Sequence, residues 1–164
     1  SKMKRTIFIG QAMPRFKKDL HDWPSLNSWL YSIGLTQDQI KEHFFYSALV
    51  NYFPGSKGGS HLVPTPNEIQ KEHPRLVETI KDFDPQIVVC IGKLSIANCF
   101  GEKSIDLNKM IGKVFNVDPY GALGRKILVI PLPHPSGAST WRHKFENMQL
   151  LKSALNLLKQ NLKV

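Results

Sequence analysis

The chain has 164 residues, of which 41% are hydrophobic, and carries a formal net charge of +9. This length and apolar content fit one globular domain over residues 1–164 with a core of its own, and they require no second domain. The positive charge is spread along the chain, which indicates a polyanionic partner; a basic protein without such a partner is the alternative.

Cysteine content and hydropathy indicate where the protein works. Cys90 and Cys99 are too few and too far apart for a structural zinc site or a disulfide framework, so a reducing, cytoplasmic environment is expected. No run approaches the ~20 apolar residues of a membrane span, and no signal peptide is recognised at the N-terminus. We therefore expect an intracellular protein that does not bind membranes.

Four apolar runs in chain order predict four buried strands, over residues 6–9, 44–52, 86–91 and 126–130. Their hydrophobicity is continuous rather than alternating, which is typical of strands covered on both faces. Residues 111–117 allow one more strand. The longer polar segments between these runs carry helical patterns.

Caps mark the helices. Ser25 is expected to cap a helix that ends near residue 32, and Thr36 one over residues 37–43. Thr65 and Glu68 form a capping box for a helix to residue 83, kinked or restarted near Pro74. Further helices are predicted over residues 94–100 and from residue 142 onward. Strands alternating with helices favour an α/β fold with a parallel sheet and helices on both faces.

Polar residues follow three of the predicted strands, namely Gln11, Asn51 and His134. In parallel sheets ligands bind beyond the carboxyl ends of the strands, near the point where the strand order reverses. Each residue also has a simpler interpretation, because Asn51 can form a turn and Gln11 or His134 can bond its own loop. Together, two amides and an imidazole can read the edge of a planar heterocycle.

Two motifs in order carry a resemblance to a known family. Gly10-Gln11-Ala12-Met13-Pro14 and His134-Pro135-Ser136-Gly137-Ala138-Ser139 resemble the signature motifs of the uracil-DNA glycosylase superfamily. The segments 50–55, 64–69, 74–76 and 85–92 between them resemble its iron-sulfur branch. The resemblance implies a monomeric three-layer α/β/α sandwich with a central four-stranded parallel sheet. Its implied activity is to flip uracil, or another deaminated base, out of DNA and remove it in base excision repair.

The resemblance also implies roles for individual residues. His134 would bond the departing base and Gln11 would orient water, while Asn51 would read the edge of the base. Gly10 and Ala12 would hold the base, and Phe16 or else Trp23 would stack on it. The segment Ser136, Gly137, Ala138 and Ser139 would contact DNA. Lys57, the positive charge of a flexible loop, is a further candidate for DNA binding.

Iron-sulfur relatives hold their cluster with four cysteines, two before the first strand and two flanking the loop after the second. Residues 1–5 contain no cysteine, and the second region offers Tyr52, Phe53, Lys71, Glu72 and His73 instead. Because thiolates are needed to hold such a cluster, we expect no cofactor.

Two further departures bear on activity. Gln11 and Ala12 stand where active relatives carry a carboxylate, so weak or altered activity is expected, with Asp19 or Asp22 as substitutes. Ala138 replaces a leucine that fills the gap left by the flipped base. Arg15 falls near the place where a bulky residue can exclude the methyl group of thymine, so base specificity stays open. The alternatives are a catalytically silent member that binds DNA or free bases, and a nucleotide or nucleoside hydrolase.

Overall fold

The fold was analysed in a computed structural model that describes residues 2–13, 23–58, 60–135 and 140–163. The strands in this part of the chain are β1 (Thr6–Ala12), β2 (Phe44–Val50), β3 (Ser56–Lys57), β4 (Ser60–His61), β5 (Ile87–Ile91), β6 (Phe115–Val117) and β7 (Ile127–Leu132). The helices are α1 (Pro24–Ser32), α2 (Gln37–His43), α3 (Pro66–Phe83), α4 (Lys93–Phe100), α5 (Leu107–Met110) and α6 (Phe145–Leu162). Short 3-10 turns cover Pro119–Gly121 and Trp141–His143.

The central sheet has the strand order β2-β1-β5-β7-β6. The first four strands are parallel, as predicted, and helices flank the sheet in a three-layer α/β/α sandwich. The fifth strand, β6, lies antiparallel to β7 and extends the expected four-stranded sheet. It has only three residues, none of them fully buried, so its apolar signal is weaker than that of the parallel strands.

The parallel strands form because their side chains are covered on both faces. All five residues of β5 are buried, as are five of the six in β7. Ile7, Ile9 and Val129 have no exposed surface at all. Such strands read as unbroken hydrophobic runs, which is why the sequence predicts them without alternation.

The helix starts follow local chemistry. Thr36 and Thr65 both form the capping boxes expected of them. The prediction that Ser25 caps α1 is wrong: the helix begins two residues earlier than expected, with Trp23 at the cap position and Pro24 as its first residue. Proline suits that place because its fixed φ is helical and the amide it lacks would have no partner there. Helix α3 runs on through Pro74, so no second helix begins there.

The strand order fixes where a site can form. The chain moves from β1 to β2 on one side, then returns to β5 on the other, so the order reverses between β1 and β5. The four parallel strands end together at Ala12, Val50, Ile91 and Leu132. We call this side of the sheet the carboxyl edge.

Candidate active site

The three residues predicted to read the base lie at the carboxyl edge, each at or after the end of a different strand. Gln11 is half-buried within the last two residues of β1, Asn51 is exposed directly after β2, and His134 is exposed two residues after β7. Because β1 lies between β2 and β5, Gln11 stands at the point where the strand order reverses. The two strands β2 and β7, which are the outermost of the four parallel strands, are about 14 Å apart, at roughly 4.8 Å per strand spacing. An amide, a second amide and an imidazole therefore lie at one edge of the sheet.

Gly92 lies against His134 and was not recognised as a site residue from the sequence. A Cβ built at Gly92 would lie 3.7 Å from Cδ2 and 3.8 Å from Cβ of His134. Gly92 follows β5 directly with φ +85°, and its amide donates to the Leu132 carbonyl at 2.9 Å. The glycine thus links the end of β5 to the segment that carries His134. The available signal was a glycine directly after a buried strand.

Helix α3 holds the loop that carries Asn51. The Asn51 backbone amide donates to Glu72 Oε1 at 2.7 Å, and the Tyr52 hydroxyl donates to Glu68 Oε2 at 2.6 Å. The Arg75 guanidinium donates to the Ala48 carbonyl of β2 at 2.7 Å. Positions 68, 72 and 75 share one face of a helix because they are four and three residues apart. One stripe of α3 therefore fixes both the end of β2 and the residues that follow it.

The hydrogen bond between Tyr52 and Glu68 shifts the pKa values of both residues. The hydrogen bond to the Glu68 carboxylate favours the neutral phenol and raises the pKa of Tyr52 to about 12. The pKa of Glu68 is lowered, first by the Thr65 backbone amide of the capping box and then by the Tyr52 hydroxyl. The Glu68 carboxylate is therefore held in its ionised form by the Thr65 amide and the Tyr52 hydroxyl.

A buried polar cluster supports β1 from behind. Ser95 of α4 has no exposed surface; its hydroxyl donates to the Ile9 carbonyl at 2.6 Å and lies 2.6 Å from the Tyr120 hydroxyl. Burial raises the pKa of Tyr120 well above its ordinary value, which keeps the phenol neutral. The hydroxyls of Ser95 and Tyr120 thereby tie α4 to β1 just before Gly10.

Three side chains brace the chain where it leaves the His134 loop. The Trp141 indole donates to Asn108 Oδ1 at 3.0 Å, and the Asn108 amide donates to Asn147 Oδ1 at 2.6 Å. Asn147, which is 3% exposed, donates in turn to the Trp141 carbonyl at 2.7 Å. We call this set the Asn brace. It anchors the far end of the loop, while β7 anchors the near end.

Several predicted residues fall outside the described ranges: Arg15, Phe16, Asp19, Asp22, Ser136, Gly137, Ala138 and Ser139. Their proposed roles stay predictions. Trp23 is described, and its ring packs edge-on against Tyr46 with 5.4 Å between the centroids. Lys57 is exposed on β3, in the segment after β2. The packing of Trp23 does not test its role in base stacking, and the exposure of Lys57 does not test its role in DNA binding.

The residues that the structure describes do not fit a thiolate-held cluster. In these ranges no group of three or more His, Cys, Asp or Glu side chains is placed to hold a metal ion. Cys90 and Cys99 are buried in the core, while Tyr52 and Glu72 bond α3 and the Asn51 loop. The absence of an iron-sulfur cluster stays a prediction. The described helices are too short or too polar to cross a membrane.

The chain is similar to known proteins. A family model, the uracil DNA glycosylase superfamily, matches residues 3–159. The chain is also 28% identical over 140 residues to the Type-4 uracil-DNA glycosylase of Archaeoglobus fulgidus. That match covers 79% of this chain and 64% of the relative's length, so the chain spans less than two thirds of the relative. Since the family model matches nearly the whole chain, the protein belongs to the uracil DNA glycosylase superfamily.

Proposed function

We propose that this protein is a DNA glycosylase that flips uracil, or another deaminated base, out of DNA and hydrolyses its bond to the sugar. The observation that carries the proposal is the position of His134 against Gly92, at the same edge as Gln11 and Asn51. Membership of the superfamily and similarity to a Type-4 uracil-DNA glycosylase support it. The net charge of +9 suits a DNA substrate, which would be bound by a monomer in the cytoplasm.

The chemistry separates charge along one bond. As the bond between base and sugar breaks, its electron pair goes to the base, and the sugar becomes positive. A hydrogen bond from His134 to O2 of uracil would stabilise the negative charge on the leaving base. The side-chain amide of Asn51 offers a donor and an acceptor for the base edge. Water then adds its oxygen to the sugar carbon, and its proton leaves to solvent or to the base.

Gln11 limits the rate in this proposal. Its amide can orient the attacking water, but it carries no negative charge to offset the positive sugar. Among the described residues of the first motif, 10–13, there is no carboxylate. Glu72 and Glu68, the acidic residues bonded to the Asn51 loop, are already engaged in hydrogen bonds. We therefore expect slow base removal.

The neutral first motif favours a second candidate, a silent member of the family that binds DNA or free bases. The two candidates separate in one assay. The protein is incubated with labelled oligonucleotides that carry a single uracil or hypoxanthine, and alkali then cleaves any abasic site. Strand cleavage supports the glycosylase. Intact single strands, U·G and U·A duplexes and hypoxanthine DNA, together with retained DNA binding, would leave the silent binder.

If cleavage is found, two variants test the site. His134→Ala and Asn51→Ala should each lower the single-turnover rate tenfold or more, since loss of one stabilising donor costs about 10²–10³ in other enzymes. His73→Ala and Asn116→Ala are matched controls, because both residues are exposed and lie outside the proposed site. If His134→Ala or Asn51→Ala removed uracil at the wild-type rate, that residue would have no part in the mechanism.

A further inference from the structure

Phe145 is an exposed aromatic residue that the proposed base-removal chemistry does not use. Its side chain is 76% exposed, the highest value among the large hydrophobic residues that the structure describes. It is the first residue of α6 and follows the short turn Trp141–His143. The Asn brace holds this turn beside the exit of the His134 loop. The ring is therefore exposed to solvent at the end of α6 that follows the His134 loop.

A cation next to Phe145 suits a phosphate backbone. Lys144, directly before it, is exposed, and Glu146 follows it in the first turn of α6. Lys93, which begins α4 directly after Gly92, is a second exposed cation at the carboxyl edge. The acidic Glu68 and Glu72 at this edge are engaged in hydrogen bonds with the residues that follow β2.

One DNA strand can reach both His134 and the ring. His134 follows β7, and α6 packs against β7. The last turn of α6 lies beside Lys4, just before β1, so its first residue, Phe145, lies toward the carboxyl edge. A DNA strand with one base at His134 that continues beyond β7 would therefore pass the start of α6.

We propose that Phe145 and Lys144 form a platform for single-stranded DNA, in which Phe145 stacks on a base and Lys144 contacts a phosphate. The pairing of an exposed ring with a neighbouring cation is the chemistry that binds single strands without regard to sequence, because every base has a face on which a ring can stack. The choice of DNA as partner rests on the proposed function, whereas the platform requires no base removal.

The test measures binding of a fluorescent, uracil-free single-stranded oligonucleotide by anisotropy over a range of salt concentrations. Phe145→Ala and Phe145→Leu should each weaken binding about fivefold or more, since stacking contributes about 1–3 kcal/mol per base. The slope of log affinity against log salt should not change in these variants. Phe145→Tyr keeps a ring and should bind within twofold of wild type. Lys144→Ala should reduce the slope by about one phosphate contact.

Phe45→Ala is the matched control, because Phe45 is also an exposed phenylalanine but lies at the start of β2, away from the carboxyl edge. It should bind like wild type. The proposal is overturned if Phe145→Ala binds within twofold of wild type, if Phe145→Leu binds as well as Phe145→Tyr, or if Phe45→Ala weakens binding equally. Base removal is scored separately on uracil DNA, so an inactive protein that still needs Phe145 would refute only the proposed function.

Discussion

Replacing Gly92 with alanine should lower both stability and activity, and the structure separates the two causes. The added methyl has room, because its nearest neighbours would be His134 atoms at 3.7 and 3.8 Å. The backbone conformation is what an alanine cannot adopt without strain, because φ +85° with ψ 158° belongs to a region that is essentially restricted to glycine. Holding another residue there costs about 1–3 kcal/mol. In a domain of this size, we expect the melting temperature to fall by about 2–12 °C.

Relief of that strain would displace the site. If the alanine introduced at position 92 rotates to a permitted conformation, its amide leaves the Leu132 carbonyl, which the Gly92 amide meets at 2.9 Å, and the neighbouring His134 shifts. A displacement of about 1 Å in a positioning group can cost about 10²-fold in rate. The measurements are thermal unfolding followed by circular dichroism and single-turnover base removal from a uracil oligonucleotide.

Gly101→Ala supplies the control, at the other end of the same helix. Gly101 has φ +71° and lies after the last residue of α4, so alanine there should cost about 1–2 kcal/mol. No described atom lies within 4 Å of the added Cβ, and His134 is at the opposite end of α4. Both variants should therefore melt earlier, and only Gly92→Ala should lose activity beyond its loss of folded protein. A wild-type melting temperature for Gly92→Ala would refute the strain argument, and equal rates in the two variants would refute the coupling to His134.

Two other predictions concern the supports of the site. Ser95→Ala should lower the free energy of unfolding, measured in urea, by about 1–3 kcal/mol, since it removes a buried partner of the Tyr120 hydroxyl. Ser104→Ala is the control at an exposed position and should not change it. Equal urea midpoints for the two variants would contradict the buried contact. The Tyr52 phenol should ionise near pH 12, which is measured as the absorbance difference at high pH between wild type and Tyr52→Phe. Glu68→Gln should bring the pKa of Tyr52 back toward its ordinary value. Because the folded pKa is raised above the unfolded one, the stability from this bond is complete below about pH 10 and is lost as pH rises to about 12. Ionisation near pH 10 in the wild type would show that the bond does not persist in solution.

The parallel strands could be predicted because burial on both faces leaves a local mark, an unbroken apolar run such as Ile87–Ile91. Strand β6 leaves a weaker mark, since its place depends on pairing with β7 rather than on its own composition. Gln11, Asn51 and His134 could be placed together because the ends of parallel strands share one edge of a sheet. In these cases local pattern and topology point to the same arrangement.

The supports of the site could not be predicted in this way. The bond between Asn51 and Glu72 joins residues 21 apart, and the bond between Asn108 and Asn147 joins residues 39 apart. No periodicity connects such pairs, because their contact exists only once the helices have packed. Gly92 was visible as a strand end, but its contact with His134 depends on the neighbouring strand β7.

The stripe of Glu68, Glu72 and Arg75 on α3 also determines where the chain can tolerate changes in length. Each inserted or deleted residue turns the rest of a helix by about 100°. One such change between Glu68 and Glu72 would carry one carboxylate away from the loop while the other stayed, and Asn51 or Tyr52 would lose its partner. Residues 55–63, whose described part contains only two short antiparallel strands, can change length without moving that stripe. Natural variation in length is therefore expected in the loop and not in the helix that anchors it.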